Sequence, residues 1–125
     1  MVTTDISQLN GECSSWTNTL REARTRFGSL KEKLQQLSHD LHDKKALQDI
    51  EHLQNQFYIQ LINIHDLKHA IREHGQIAAW EQDKSGQISD ATWSAHEELN
   101  DQYEQLGHTL KNVEQEFKNF VAVLQ

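Results

Sequence analysis

The chain of 125 residues has few of the residues that interrupt helices or cross-link a fold. It contains no proline and five glycines, so kinked helices and proline-rich linkers are not expected. Its single cysteine, Cys13, excludes an internal disulfide framework and any zinc module built from several cysteines. Leucine, glutamine, glutamate and lysine are abundant instead, which is typical of helices. The composition therefore favours an all-α protein.

Positive charge and long apolar runs are also scarce. The net charge is −7 at pH 7, and no basic stripe is present that would neutralise the phosphates of a nucleic acid. The mean hydropathy is −0.78, and no apolar run approaches the roughly 18 residues that cross a membrane. The first ten residues are mixed and polar, unlike a secretory leader. We expect a cytoplasmic protein that binds neither nucleic acid nor membrane.

A regular apolar pattern starts near the beginning of the chain, with steps that alternate between three and four residues. This spacing places one face of a helix against neighbouring helices, while charged residues fill the other positions. We predict a first helix over residues 5–38. Its apolar positions, together with the apolar residue that ends the pattern, are Ile6, Leu9, Cys13, Trp16, Leu20, Ala23, Phe27, Leu30, Leu34, Leu37 and Leu41.

The pattern breaks after Leu41, because its continuation would place polar residues in the core. The next apolar series has a different register, and the offset fits neither of the usual insertions in a heptad pattern. We predict a tight turn over residues 39–44, with Asp40 or Asp43 capping a second helix over residues 45–82. The alternative is one continuous helix of about 75 residues, which would dimerise to bury its apolar face.

A turn signal at residues 83–87, which include a glycine, separates the second helix from a third. We predict that the third helix covers residues 90–124, with Ser89 or Asp90 as its N-cap. The apolar series of the second helix is Ala46, Ile50, Leu53, Phe57, Ile64, Leu67, Ile71 and Ala78. The series of the third is His96, Leu99, Tyr103, Leu106, Leu110, Val113, Phe117, Phe120 and Leu124.

Three helices of nearly equal length with short connections predict an elongated, antiparallel, up-down-up bundle that forms one domain over residues 1–125. The apolar periodicity resembles that of spectrin repeats, including a tryptophan inside the first helix, here Trp16. This resemblance implies spectrin-repeat-like coiled-coil packing. It rests on periodicity, and no specific spectrin motif accompanies it.

Two histidines, His74 and His96, fall on core positions of the second and third helices. Counting residues from the two turns places both at the level of Cys13. We favour a buried polar layer, with the histidines hydrogen-bonded to each other, to a carboxylate or to water. The alternatives are a metal site through Cys13, His74 and His96 and a small-ligand pocket between the tryptophans; we expect no metal and no cofactor. The adjacent Glu12, Glu73 and Glu97 could converge with them, and the same counting places Trp16, Trp80 and Trp93 at the same end of the bundle.

Two other patterns match metal sites only in part. His65 and His69 lie four residues apart on one helical face, but neither an adjacent glutamate nor a third ligand accompanies them. Residues 81–92 resemble part of an EF-hand loop. Glu81 occupies its first place and Thr92 its twelfth, where calcium needs Asp and a bidentate Glu. We expect neither pattern to bind a metal.

The sequence offers no glycine-rich phosphate loop, nucleophile elbow or paired inward carboxylates, so we expect no enzyme. The second helix carries more apolar residues than one core face needs, among them Tyr58, Ile59, Ile62 and Ile77. These four residues either widen the core or bind a protein partner or a second copy. We expect a scaffold or adaptor module; a metal- or ligand-binding bundle and a secretion or assembly chaperone are the alternatives.

Overall fold

The computed structural model describes residues 6–124 and consists there of three helices without strands. All three helix pairs pack against each other, which confirms the all-α three-helix bundle. The connections over residues 41–43 and 86–89 are short, so successive helices run antiparallel. The helices are α1 (Ile6–Asp40), α2 (Lys44–Ser85) and α3 (Asp90–Leu124).

The first turn lies where the break in the apolar pattern predicts it. α1 continues two residues beyond the predicted end, and the chain leaves the helix at Leu41, which packs half-buried against the core. Asp43 is the N-cap of α2, and its carboxylate accepts a hydrogen bond of 3.0 Å from the backbone N–H of Ala46. The alternative of one continuous helix is therefore wrong.

α2 is longer than predicted, because its helical hydrogen bonds continue through Ser85 into the expected turn. Gly86 ends the helix with φ 75°, a left-handed conformation that glycine adopts without a steric penalty. The N–H of Gly86 donates to the carbonyl oxygen of Gln82 at 2.9 Å. Asp83, predicted as a turn residue, lies in the last turn of α2.

The second turn is held by a carboxylate from the end of α2. Oε1 of Glu81 accepts from the backbone N–H of Ser89 at 2.9 Å, and Oε2 accepts from the hydroxyl of Thr92 at 2.8 Å. The hydroxyl oxygen of Ser89 accepts from the backbone N–H of Thr92, so Ser89 is the N-cap of α3. These bonds fix the angle at which α3 leaves the turn.

The apolar positions predicted from the sequence are buried or half-buried in all three helices. Phe57 of α2 lies at the centre of the core, with its ring centroid 5.7 Å from those of Phe27 in α1 and Phe117 in α3. Gln60 occupies a core position that the apolar pattern skips, and its side-chain oxygen accepts from the amide of Asn63. Within residues 6–124, no helix has a stretch long and apolar enough to span a bilayer.

Candidate functional site

A pair of buried histidines connects α2 to α3. His74 and His96 are each only 5% exposed, and Nε2 of His74 lies 2.9 Å from Nδ1 of His96. The two helices run antiparallel through the second turn, which brings these residues to the same level although 22 positions separate them in sequence. The structure therefore brings together the two histidines that the apolar pattern assigned to the core.

The two imidazole rings meet edge to edge. Their centroids lie 5.1 Å apart and their planes are inclined by 26°, while the facing nitrogens are 2.9 Å apart. If both facing nitrogens lay on the line between the two ring centres, the centroid distance would exceed the nitrogen–nitrogen distance by one centre-to-nitrogen length for each ring. The two distances differ by close to that amount. Each facing nitrogen therefore lies near the line that joins the centroids, which is the geometry of a direct N–H···N hydrogen bond.

A carboxylate of α1 fixes which nitrogens carry protons. The second nitrogen of His96, Nε2, lies 2.8 Å from Oε1 of Glu12. A carboxylate only accepts, so His96 donates from Nε2, and its neutral ring accepts at Nδ1. Nε2 of His74 must then donate to Nδ1 of His96. The result is a hydrogen-bonded chain across all three helices, from His74 through His96 to Glu12.

Aromatic rings enclose this chain. Trp16 lies against His96 with a centroid distance of 4.7 Å, and Trp93 meets the same ring edge-on at 5.6 Å. Tyr103 also contacts Trp16, with a centroid distance of 5.8 Å. Trp80 is 62% exposed, so it does not enclose the layer together with the other two tryptophans, as the alternative of a small-ligand pocket requires. Trp80 lies two residues after the buried Ala78, and this position on the helical turn directs its side chain away from the core.

Cys13 lies beside the histidines. Its Sγ and one ring nitrogen of each histidine all lie within 4.8 Å of one another, which is the residue set of a candidate metal site. Burial raises the pKa of the Cys13 thiol to about 11, with a smaller contribution from the nearby charge of Glu12. The thiol therefore stays protonated near neutral pH, whereas a metal binds the thiolate.

The orientation of the rings also bears on a metal. A tetrahedral zinc ion requires the lone pairs of both histidines to point at one common position. In this structure the facing nitrogens of His74 and His96 point at each other, across a distance occupied by one shared proton. A metal would bind Cys13 and both histidines only after at least one ring had rotated and their hydrogen bond had broken.

The pair has a limited capacity for protons. Burial lowers the pKa of His74 and the neighbouring His96 lowers it further, while the charge of Glu81 partly opposes the shift. If both rings were doubly protonated, two N–H groups would face each other across 2.9 Å. The folded pair therefore holds at most one extra proton in this geometry.

The remaining acids that the sequence placed at this level lie outside the layer. Glu73 forms an ion pair with His69 on the outer surface of α2, with a distance of 3.0 Å from Nε2 to Oε1. Glu97 is exposed. Of these three acids only Glu12 hydrogen-bonds to the buried pair, because register fixes the height of a side chain but the angle around the helix decides where it points.

The segment that resembles a calcium loop is built as a helix end. Both carboxylate oxygens of Glu81 accept hydrogen bonds from Ser89, and one also accepts from Thr92. These hydrogen bonds lower the pKa of Glu81. The carboxylate that would occupy the first calcium position is thus used to join α2 to α3.

The four apolar residues assigned to partner binding lie on the surface of α2. Their exposed fractions are 58% for Tyr58, 43% for Ile59, 42% for Ile62 and 52% for Ile77. None of the four belongs to the buried core cluster. The sequence did not assign Leu47 or Trp80 to this surface, although both are also exposed and apolar.

Comparisons of the chain with protein-family models, with curated proteins and with solved structures gave no match.

Proposed function

We propose that the chain is a non-enzymatic helical bundle that binds an amphipathic helix of a partner protein through the outer face of α2. The observation that carries this proposal is the concentration of exposed large apolar side chains on α2, which carries six of the seven among the described residues; the seventh is Val123 of α3. Apolar residues scattered singly over a surface are ordinary, whereas a group on one face marks a place where proteins bind.

The exposed residues form two patches along α2. Tyr58 and Ile59 lie four and three residues before Ile62, so both are its neighbours on the helix surface. Ile77 and Trp80 form the second patch, three residues apart. Each patch contains one aromatic residue that is more than half exposed, of the type that contributes most to binding energy at protein interfaces.

Burial of the flanking residues supports the assignment to a partner. Leu61, one of the extra apolar residues of α2, packs half-buried against the core. Its neighbours Ile59 and Ile62 remain 43% and 42% exposed. An apolar helix laid along α2 would remove them from water, which is the usual mode of helix recognition.

The buried layer gives less support to enzymatic activity. Its polar groups are paired with each other, and the raised pKa of Cys13 leaves little nucleophilic thiolate. A reduced, buried thiol is compatible with the cytoplasm, the location we propose. A metal-binding bundle is the second candidate, favoured by the convergence of Cys13, His74 and His96 and opposed by the direct hydrogen bond between the two rings.

Site-specific photo-cross-linking in the native host tests the proposal. A photoreactive residue at position 59 should give one discrete adduct, whose mass identifies the partner. The adduct should disappear when Tyr58 and Ile62 are replaced by serine. The matched control is position 112 on the exposed polar surface of α3, where no such adduct is expected.

Two results would contradict the proposal. One is cross-linking at position 59 that does not exceed the background at position 112. The other is an adduct that persists in the variant carrying Tyr58→Ser and Ile62→Ser. An adduct with twice the mass of the chain would show that a second copy, and not a different protein, binds this surface.

A further inference from the structure

A groove of about 530 Å³ runs between α1 and α2, and none of the residues that line it belongs to the proposed partner surface. Twelve described residues line it, and none of them is Asp or Glu. Three carry permanent positive charge, namely Arg21, Lys68 and Arg72, and two are the histidines His65 and His69. This concentration of cationic residues contrasts with the net charge of −7 of the whole chain.

Helical spacing explains why these residues share a groove. Lys68 and Arg72 lie four positions apart on α2 and therefore point to the same side. Arg21 reaches the groove from α1, which runs antiparallel and packs against α2. Cations of two helices thus face one space from both walls, an arrangement that the sequence of either helix alone does not reveal.

The three permanent cations are not neutralised by the protein. Within residues 6–124, none of Arg21, Lys68 and Arg72 forms an ion pair with a carboxylate; Arg21 donates only a long hydrogen bond of 3.4 Å to Asn18. Glu73 binds His69, but Glu73 does not line the groove. Like charges gathered in this way repel each other, and a bound anion would relieve the repulsion.

The chemistry of the walls indicates the kind of anion. Arginine binds phosphate through two parallel N–H groups and lysine binds it as a point charge. Ser14, Thr17 and Asn18 add uncharged hydrogen-bonding groups on the α1 side. The three permanent positive charges exceed the charge of about −1.5 to −2 that one phosphate group carries at pH 7, so two phosphates of one molecule match them better than a single phosphate.

The size of the groove limits the ligand. On α1 its lining extends from Asn10 to Arg21, a rise of about 17 Å. A long nucleic acid would extend beyond this stretch onto an acidic protein, where the net charge opposes it. We propose that the groove between α1 and α2 binds a small soluble anion that carries two or more phosphate groups.

Titration calorimetry with inorganic pyrophosphate and tripolyphosphate tests the site at constant ionic strength. The wild-type chain should bind one molecule of either anion, and the anion should raise the melting temperature. The double variant Lys68→Gln, Arg72→Gln should lose at least about tenfold in affinity. The charge-matched control is Lys111→Gln, Lys118→Gln, which removes two exposed cations from α3 and should change affinity by less than about twofold.

Four results would overturn the proposal. The first two are absence of heat with both anions and equal loss of affinity in the groove variant and the control. The third is tighter binding of a single-stranded oligonucleotide than of tripolyphosphate, which would indicate a nucleic acid. The fourth is binding to vesicles of phosphatidylcholine with phosphatidylinositol bisphosphate but not to pyrophosphate, which would indicate a lipid headgroup. Circular dichroism of both double variants verifies that they fold.

Discussion

Lowering the pH from about 7.5 to about 5.5 should weaken the fold through the histidine pair. The pKa of His74 in the folded chain is lowered from its ordinary value of 6.5, so the unfolded chain takes up a proton first. The contribution of His74 to the free energy of unfolding is fully present above pH 6.5. It decreases as the pH falls from there toward the lowered pKa of His74 in the folded chain. Glu12 and Glu81 face the pair and limit the loss.

The size of the effect follows from proton linkage. A histidine that titrates with a pKa of 6.5 in the unfolded chain and stays neutral in the folded chain costs about 1.4 kcal/mol of stability between these two pH values. This figure is the ceiling for His74, since the charge of Glu81 favours the protonated ring. Glu81 stays ionised throughout this pH range, because its pKa is lowered from an already lower ordinary value. Its own titration therefore adds nothing to the change in stability between the two pH values.

Urea unfolding followed by circular dichroism measures the free energy of unfolding at each pH. In the double variant His74→Leu, His96→Leu, an apolar layer replaces the pair, and most of the loss between the two pH values should disappear. His108→Gln is the matched control, because His108 is exposed and has no bonding partner among the described residues. An equal free energy of unfolding for the wild-type chain at both pH values would refute the reasoning. An identical pH dependence in the double leucine variant would refute it as well.

Three further predictions concern the metal alternative, the core and a helix cap. One equivalent of zinc should not change the melting temperature measured by calorimetry, because zinc binding would have to break the hydrogen bond between His74 and His96. A rise of several degrees that is abolished by His96→Ala would contradict this prediction. Phe57→Ala should cost about 3–5 kcal/mol in urea unfolding, because it removes the ring that contacts both other helices; a cost below about 1 kcal/mol would place the core elsewhere. Asp43→Ala should cost about 1 kcal/mol by loss of the N-cap, whereas Asp83→Ala should cost nothing; equal effects would argue against the cap.

The positions of helices and turns were largely predictable, because the register of the apolar pattern changes only where a helix ends. The break after Leu41 and the glycine at position 86 placed both turns within a few residues. The exact end of α2 was not predictable. It depends on the left-handed conformation of Gly86, and the sequence permits the turn to begin several residues earlier.

For the buried layer, the sequence predicted the position of residues along the bundle axis but not the direction in which each side chain leaves its helix. Equal counts from the turns brought His74, His96 and Cys13 together, since each helix rises by a constant amount per residue. The directions of Glu73 and Trp80 were missed, because a heptad pattern fixes the core face and leaves outer side chains free. The role of Glu81 in capping α3 depends on the path of the turn itself.

The groove between α1 and α2 could not be predicted from the sequence of either helix alone. Arg21 lies more than forty positions before Lys68, and each appears as an ordinary solvent-exposed cation within its own heptad pattern. Only the antiparallel packing of the two helices brings them to opposite walls of one space. The exposure of Ile59 and Ile62 likewise depends on how far the neighbouring helices wrap around α2.

The hydrogen bond between His74 and His96 tests the central claim most directly, because it exists only if α2 and α3 pack in the described register. Nuclear magnetic resonance of the nitrogen-labelled chain near neutral pH detects such a bond as a coupling between the two nitrogens. We predict slowly exchanging Nε2–H protons on both rings and a coupling from Nε2 of His74 to Nδ1 of His96. Rapidly exchanging imidazole protons without any coupling would contradict the account.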